Sequence, residues 1–203
     1  MISAPSGTGK TSLVLKLLER VEGLRFSVSY TTRPMRAGER DGIDYHFVDD
    51  RRFTEMVAEG AFLEHAEVFG RRYGTGRDAT VAALDAGTDL VLEIDVQGAA
   101  QIRASGLGTV SVFVVPPSYA ELVRRLRRRG SDDDAQIARR LETSRLEAGE
   151  YRYYDYVVVN DEFDRALDDL AALVCAERLR RERRVAEIEA ILETFPGPGA
   201  DGA

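Results

Sequence analysis

Residues 4–11 read APSGTGKT, one residue away from the phosphate-binding loop pattern G-x-x-x-x-G-K-[ST], because Ala4 stands where the pattern has glycine. A pyrophosphate needs many hydrogen-bond donors without steric crowding. Gly7 and Gly9 supply this by letting backbone N–H groups turn inward, Lys10 reaches the β and γ phosphates, and Thr11 offers its hydroxyl to Mg²⁺. Directly downstream, Leu13, Val14, Leu17, Leu18 and Val21 recur at helical spacing up to a stop at Gly23. The loop therefore opens a helix whose unpaired amides point back at a bound anion. A plain Gly-Ser turn has no need of Lys-Thr followed at once by an amphipathic helix. The methyl group of Ala4 costs little where φ is negative, so the loop is expected to work without its first glycine.

Working outward from the loop, LVLEID (90–95), VSVFVV (110–115) and YVVVND (156–161) are nearly continuous apolar runs, the pattern of strands covered on both faces of a parallel sheet. Helical patterns lie between them: 96–104 ending near Gly106, and 118–129, where Ser118 and Glu121 form a capping box and Gly130 a stop. Alternating strands and helices imply a doubly wound α/β core. Residues 26–87 differ. Short alternating pieces broken by glycines predict a β-rich lobe inserted after the first helix and closed by a helix at 78–86. The densely charged 124–145 reads as a solvated helical hairpin. A single long helix over about 164–192 is expected before FPGPGADGA, a tail composed for disorder.

The bulk numbers narrow the function. The 203 residues, 44% hydrophobic and 31% charged, suit one globular domain with small inserted lobes. The net charge of −7 repels nucleic acid, so any anion must be held by a local cluster of cations. The one cysteine, Cys175, sits in helical apolar spacing, where a buried inert thiol is the expectation; a reducing cytoplasm fits. MISAPSG has no apolar signal region, and no apolar run approaches the roughly 18 residues of a membrane span. No nucleic-acid or membrane partner is expected.

Several polar residues stand where chemistry needs them. Asp95 ends an apolar strand, where a carboxylate either orders Mg²⁺ or caps the following helix. Glu93, two residues before on the same strand face, joins it or faces the acceptor. In the insert, Arg33 and Arg36 flank a Pro34 turn able to aim two guanidinium forks at one anion, and Ser29, Tyr45 and Tyr73 add hydroxyls. Each alone fits a surface or packing role; their joint occurrence in one glycine-broken insert argues for a site. Asn160 and Asp161 end a strand, where an ordinary strand-ending turn is the plain reading.

SAPSGTGKTS, SVSYTTRPMRAGERDGIDYHFV, FLEHAEVFGRRYGT, LEIDVQGA, PPS with LRRRG, and VVVND together resemble guanylate kinase over about residues 2–192. The resemblance implies a phosphate-loop kinase core (1–28, 88–123 and 146–195), a GMP-binding lobe (29–87), a lid (124–145), and Mg²⁺-dependent transfer from ATP to GMP, with dGMP as a further acceptor. It puts ATP on Ala4, Pro5, Ser6, Gly7, Thr8, Gly9, Lys10 and Thr11, with Asn160, Asp161 and the lid arginines Arg125, Arg129 and Arg140. Ser29, Arg33, Arg36, Tyr45 and Tyr73 are implied to hold the GMP phosphate, and Glu64, Thr75 and Glu93 to meet guanine. Asp95 is assigned to both the acceptor side and, with Thr11, the metal. Lys10, Arg33, Arg129 and Arg140 are the expected catalytic set.

Guanine offers N1–H and a 2-amino group, two donors that one carboxylate accepts together, whereas neutral adenine has no N1–H. The acceptor is already an anion at pH 7, so no general base is required of His46 or His65, which read as structural. Two features depart from the family pattern. Position 93 is Glu where Asp is common. Only Met1 and Ile2 precede Ser3, so the central strand is either unusually short or begins upstream. A same-fold kinase for another phosphate ester, such as a ribose bisphosphate, and a non-catalytic phosphoprotein-binding module are the rival readings. A monomer is the expectation, with a homo-oligomer open.

Overall fold

The computed structural model of the chain describes residues 1–128 and 133–195. Arg129, the Gly130 stop and the tail 196–203 lie outside the described residues. Strand β1 (Ile2–Ser3) runs into the loop and helix α1 (Lys10–Arg20), whose Leu13, Val14 and Leu17 are fully buried, as the helical spacing requires. β1 pairs in parallel with β8 (Val112–Val115), which pairs in parallel with β9 (Tyr156–Val159). On its other side the Ile2 N–H donates to the Leu92 carbonyl at 2.8 Å and the Ile2 carbonyl accepts from Ile94 N–H at 3.3 Å. This joins β1 to the end of β7 (Asp89–Val91), itself parallel to β2 (Leu24–Phe26). The order across the core is thus β2, β7, β1, β8, β9. The short β1 lies in the middle, with both edges bonded and its residues buried.

Helices α4 (Val96–Ala104) and α7 (Phe163–Arg178) cover the two faces. Leu167 and Leu170 of α7 join α1, Val91, Val112, Val114 and Val158 in one cluster; Ala99 and Ile102 of α4 join Leu92, Ile94, Phe113 and Tyr154 in another. The insert folds as an antiparallel hairpin of β5 (Phe62–Val68) and β6 (Arg71–Gly76), extended through β3 (Tyr30–Thr31) to β4 (His46–Phe47). It contains a helix the alternation did not show, α2 (Asp50–Ala58), capped by Asp49 and anchored by Phe53 and Met56. Helix α3 (Arg77–Asp85) returns the chain to the core. Helices α5 (Tyr119–Arg128) and α6 (Asp134–Ala148) pack through Leu122, Leu126, Ile137 and Leu141.

Three expectations are corrected. The last helix is two, because after α7 the backbone turns extended at Arg180 (φ −56°, ψ 133°) before α8 (Arg181–Leu192). α7 tracks the core to the buried Glu177, whose carboxylate accepts from the Tyr156 hydroxyl at 2.8 Å, whereas α8 buries no residue. Cys175 is exposed, on the side of α7 away from the buried Ala166, Leu167 and Leu170. Ser118 Oγ does accept the Glu121 N–H at 3.1 Å, but the Glu121 carboxylate turns to Arg124 and Arg125 at 2.6 and 2.7 Å. Among the described residues no helix is long and apolar enough to cross a membrane.

Candidate active site

Gly7 and Gly9 both take left-handed backbone angles, φ 89° and 96°. Gly9 is the N-cap of α1, so the first amides of that helix are aimed into the loop. Ala4 is not among the residues with positive φ, and its methyl is buried in the core cluster of α1 and β1. The substitution thus sits where a side chain is tolerated and packed. The loop is braced from beneath: the Thr8 carbonyl accepts from the Asn160 side-chain amide at 2.7 Å and from Arg125 Nη1 at 3.2 Å. Asn160 is buried and supports the loop itself; Asp161 is exposed and offers its backbone carbonyl to Arg125 at 3.4 Å. Lys10 Nζ donates to the Ile94 carbonyl at 2.7 Å and lies 4.0 Å from Glu93.

The two strand carboxylates separate. Glu93 Oε1 accepts from the Thr11 hydroxyl at 2.5 Å, so it lies on the phosphate-loop side. Asp95 caps α4, accepting from Gly98 N–H at 2.8 Å and from the Gln97 amide at 3.0 Å. Gly98 in turn lies against the Glu64 carboxylate, where a Cβ would meet Glu64 Oε2 at 2.3 Å. Glu64 is 4% exposed and accepts from the Thr75 hydroxyl at 2.6 Å. Burial pushes its carboxyl up to about 7, and neighbouring Asp95 adds to this while the Thr75 hydrogen bond opposes it.

Lys10, Ser29, Tyr45, Glu64, Tyr73, Glu93 and Asp95 line one cavity of about 180 Å³. This brings most of the residues expected on the acceptor side together. The Tyr45 phenol is pushed up to about 12 by burial, with Glu93 next in effect. Arg33, Arg36, Tyr73 and Arg140 of α6 line an adjoining cavity of about 390 Å³. Arg33 makes a bidentate pair with Glu39, at 3.0 and 2.7 Å, and lies 5.2 Å from the Tyr45 ring centroid. Arg36 is exposed, and its N–H donates to the same Glu39 carboxylate at 2.7 Å. His46 stacks on Tyr30 at 4.6 Å, and His65 packs edge-on to Phe53.

Sequence reasoning passed over Glu39 and Glu147. Glu147 lies on α6 and accepts the Ser6 N–H at 3.3 Å; burial pushes it to about 7, the Ser6 amide opposing. Two further residues of α6 reach Ser6: Ser144 Oγ donates to its carbonyl at 3.1 Å, and Arg140 Nη1 to its hydroxyl at 3.4 Å. The spacing 140, 144, 147 is one helix face, a signal the arginine-rich composition hid. Arg129 lies outside the described residues.

The family model described as Guanylate kinase matches residues 1–177. The guanylate kinase of Alkalilimnicola ehrlichii is 55% identical over 184 residues, covering 91% of each chain. That of Vibrio cholerae is 48% identical over 197 residues, covering 96% of this chain and 95% of its own. The crystal structure of guanylate kinase from Anaplasma phagocytophilum superposes with a TM-score of 0.75 at 35% identity, over 97% of this chain and 94% of its own. On these matches, the chain belongs to the guanylate kinase family.

Proposed function

We propose the following division of labour for the transfer of the ATP γ-phosphoryl group to GMP. The amides of residues 6–11 and Lys10 cradle the donor phosphates. Arg33 and Arg36, with Ser29, Tyr45 and Tyr73, hold the acceptor phosphate. Glu64 and Thr75 read guanine, and Asp95 rather than Glu93 assists them, because Asp95 neighbours Glu64 while Glu93 meets Thr11. Glu93 thereby replaces Asp95 beside Thr11 at the metal. Among the described residues no three His, Cys, Asp or Glu side chains form a metal cluster. A Thr hydroxyl with one carboxylate fits Mg²⁺, which takes few protein ligands and completes its shell with water and phosphate oxygens. Held by Thr11 and Glu93, Mg²⁺ would supply positive charge against the negative charge that develops on the transferring phosphoryl group.

The remaining work is positioning. The acceptor oxygen is already anionic, so the chain supplies cations and a dry cavity rather than a base. Arg125, Arg129 and Arg140 are assigned to the donor side as lid residues, with residues 29–87 as the acceptor lobe and 124–145 as the lid. Both substrate sites draw on one chain, which supports action as a monomer, and the single cysteine suits a reducing cytoplasm.

The observation that carries base selectivity is the nearly buried Glu64 carboxylate held by Thr75. A carboxylate sealed in this way is left unpaired by AMP, which strongly disfavours that acceptor. Mg·ATP-dependent ADP formation with GMP, dGMP, AMP, IMP and UMP tests the reading, alongside Lys10→Ala. Turnover confined to GMP and dGMP and lost in Lys10→Ala supports it; comparable use of AMP or UMP overturns the role of Glu64.

A further inference from the structure

The turn between β5 and β6 carries a residue that its geometry disfavours. Val68 pairs with Arg71, which leaves Phe69 and Gly70 as a two-residue loop, with φ 50° and 72°. Two successive positive φ values make the mirror-image turn that favours Asn-Gly. Phe69 is the one non-glycine residue with positive φ among the described residues, and a bulky side chain there is strained. Burial does not offset the strain, since Phe69 is 44% exposed. Strain of this kind persists where surrounding structure or function requires it.

What the ring meets lies in another part of the molecule. The guanidinium carbon of Arg140, on α6, sits 4.9 Å from the Phe69 ring centroid. Arg140 also donates to Ser6 of the phosphate loop at 3.4 Å, and Ser144, one turn further along α6, is bonded to the same residue. Phe69 and Arg140 roof the cavity that Arg33, Arg36, Arg71 and Tyr73 line from the acceptor lobe. An Asn at position 69 would relieve the turn but present no π face to the cation.

We infer that Phe69 is a positioning residue for phosphoryl transfer: its ring seats the Arg140 guanidinium at the junction of the two substrates and makes that placement depend on the acceptor lobe. The lobe that carries GMP brings the ring, and the ring fixes the lid arginine, so the donor side is completed when the acceptor side is in place. Such an interlock disfavours transfer to water from ATP bound alone. This rests on the proposed donor-side role of Arg140.

Three variants and their combination test it: Phe69→Asn, Phe69→Tyr, Arg140→Ala, and Phe69→Asn with Arg140→Ala. Phe69→Asn is expected to lower kcat about five- to tenfold, the worth of a partly desolvated cation–π contact. The GMP KM should stay within about twofold and the melting temperature should not fall, because Asn suits the turn. Phe69→Tyr, which keeps the ring, is expected to retain kcat. In the Arg140→Ala background, Phe69→Asn is expected to cost nothing more. An unchanged kcat in Phe69→Asn, or the same loss with and without Arg140, overturns the inference while leaving the role of Arg140 standing. An unchanged kcat in Arg140→Ala overturns both.

Discussion

Glu64→Gln is predicted to make the ligand-free protein more stable and the enzyme nearly inactive. The native carboxyl titrates at about 7 against an ordinary 4.5, first because it is buried. The native state therefore keeps a proton between those values that the unfolded chain has released, and stability falls as pH rises through this window. Above pH 7 the full cost of the buried anion applies, about 3 kcal/mol at 1.36 kcal/mol per pH unit. Gln carries no such cost, so at pH 8 the variant should melt higher by about 5–10 °C, with the difference closing towards pH 5. The same change removes the two charge-assisted hydrogen bonds proposed between Glu64 and guanine, each worth about 1.5–3 kcal/mol, and kcat/KM for GMP should fall about 10²- to 10⁴-fold. Wild-type GMP affinity should also drop about tenfold per pH unit below 7, beyond the contribution of the GMP phosphate, which Glu64→Gln still shows. Melting curves from pH 5 to 8.5 and a coupled ADP assay at saturating ATP measure both sides. A variant that melts lower at pH 8 and still turns over GMP would refute the reasoning, because it would make Glu64 a structural hydrogen-bond partner.

Three other changes separate support from contact. Ala4→Gly should leave kcat and both KM values within about twofold, because Ala4 has no positive φ. It should cost about 1–2 kcal/mol in denaturant unfolding, through a lost buried methyl and a freer unfolded backbone. Gly98→Ala places a methyl 2.3 Å from Glu64 Oε2; the GMP KM should rise at least about tenfold with the ATP KM unchanged, since the carboxylate must move to make room. Asn160→Ala removes the 2.7 Å hydrogen bond to the Thr8 carbonyl. It should lower stability by about 1–3 kcal/mol and raise the ATP KM more than the GMP KM, and equal effects on both would argue against Asn160 as the brace of the loop.

The fold was legible where the pattern was local. The helix after the loop, the apolar runs that became β7, β8 and β9, and the glycine-broken insert follow from periodicity and turn chemistry that any stretch of sequence displays. The break between α7 and α8 was not, because no glycine or proline marks Leu179 and Arg180; the helix changes course where the core it packs on ends. Cys175 failed for a related reason. Helical apolar spacing says which face is apolar, not how far round that face the core extends. In the site, Lys10 and Thr11 could be singled out by motif, and Glu64 by the family resemblance. That Glu93 meets Thr11 while Asp95 caps α4 could not, since strand alternation puts both on one face. What separates them is the start of α4, which draws Asp95 into its cap.

Pairing of the site's own charges explains how a chain of net charge −7 gathers two polyanions. Arg33 is gripped by Glu39, Arg125 by Glu121, and Lys10 lies beside Glu93. Unpaired cations packed this closely would repel one another. Each carboxylate instead removes that repulsion and fixes a direction, as the bidentate geometry of Arg33 requires of its partner. The hydrogen bond from the Arg33 guanidinium holds Glu39 below its ordinary range, so the pair that aims the fork survives further into acid than a free carboxylate would. The pairs have sequence separations of 6, 4 and 83 residues, and only the second is a helical spacing visible in advance. An acidic surface and a cationic site are therefore compatible because the acidic residues nearest the site act as its scaffold, holding the donors of Lys10, Arg33 and Arg125 in place before either substrate arrives.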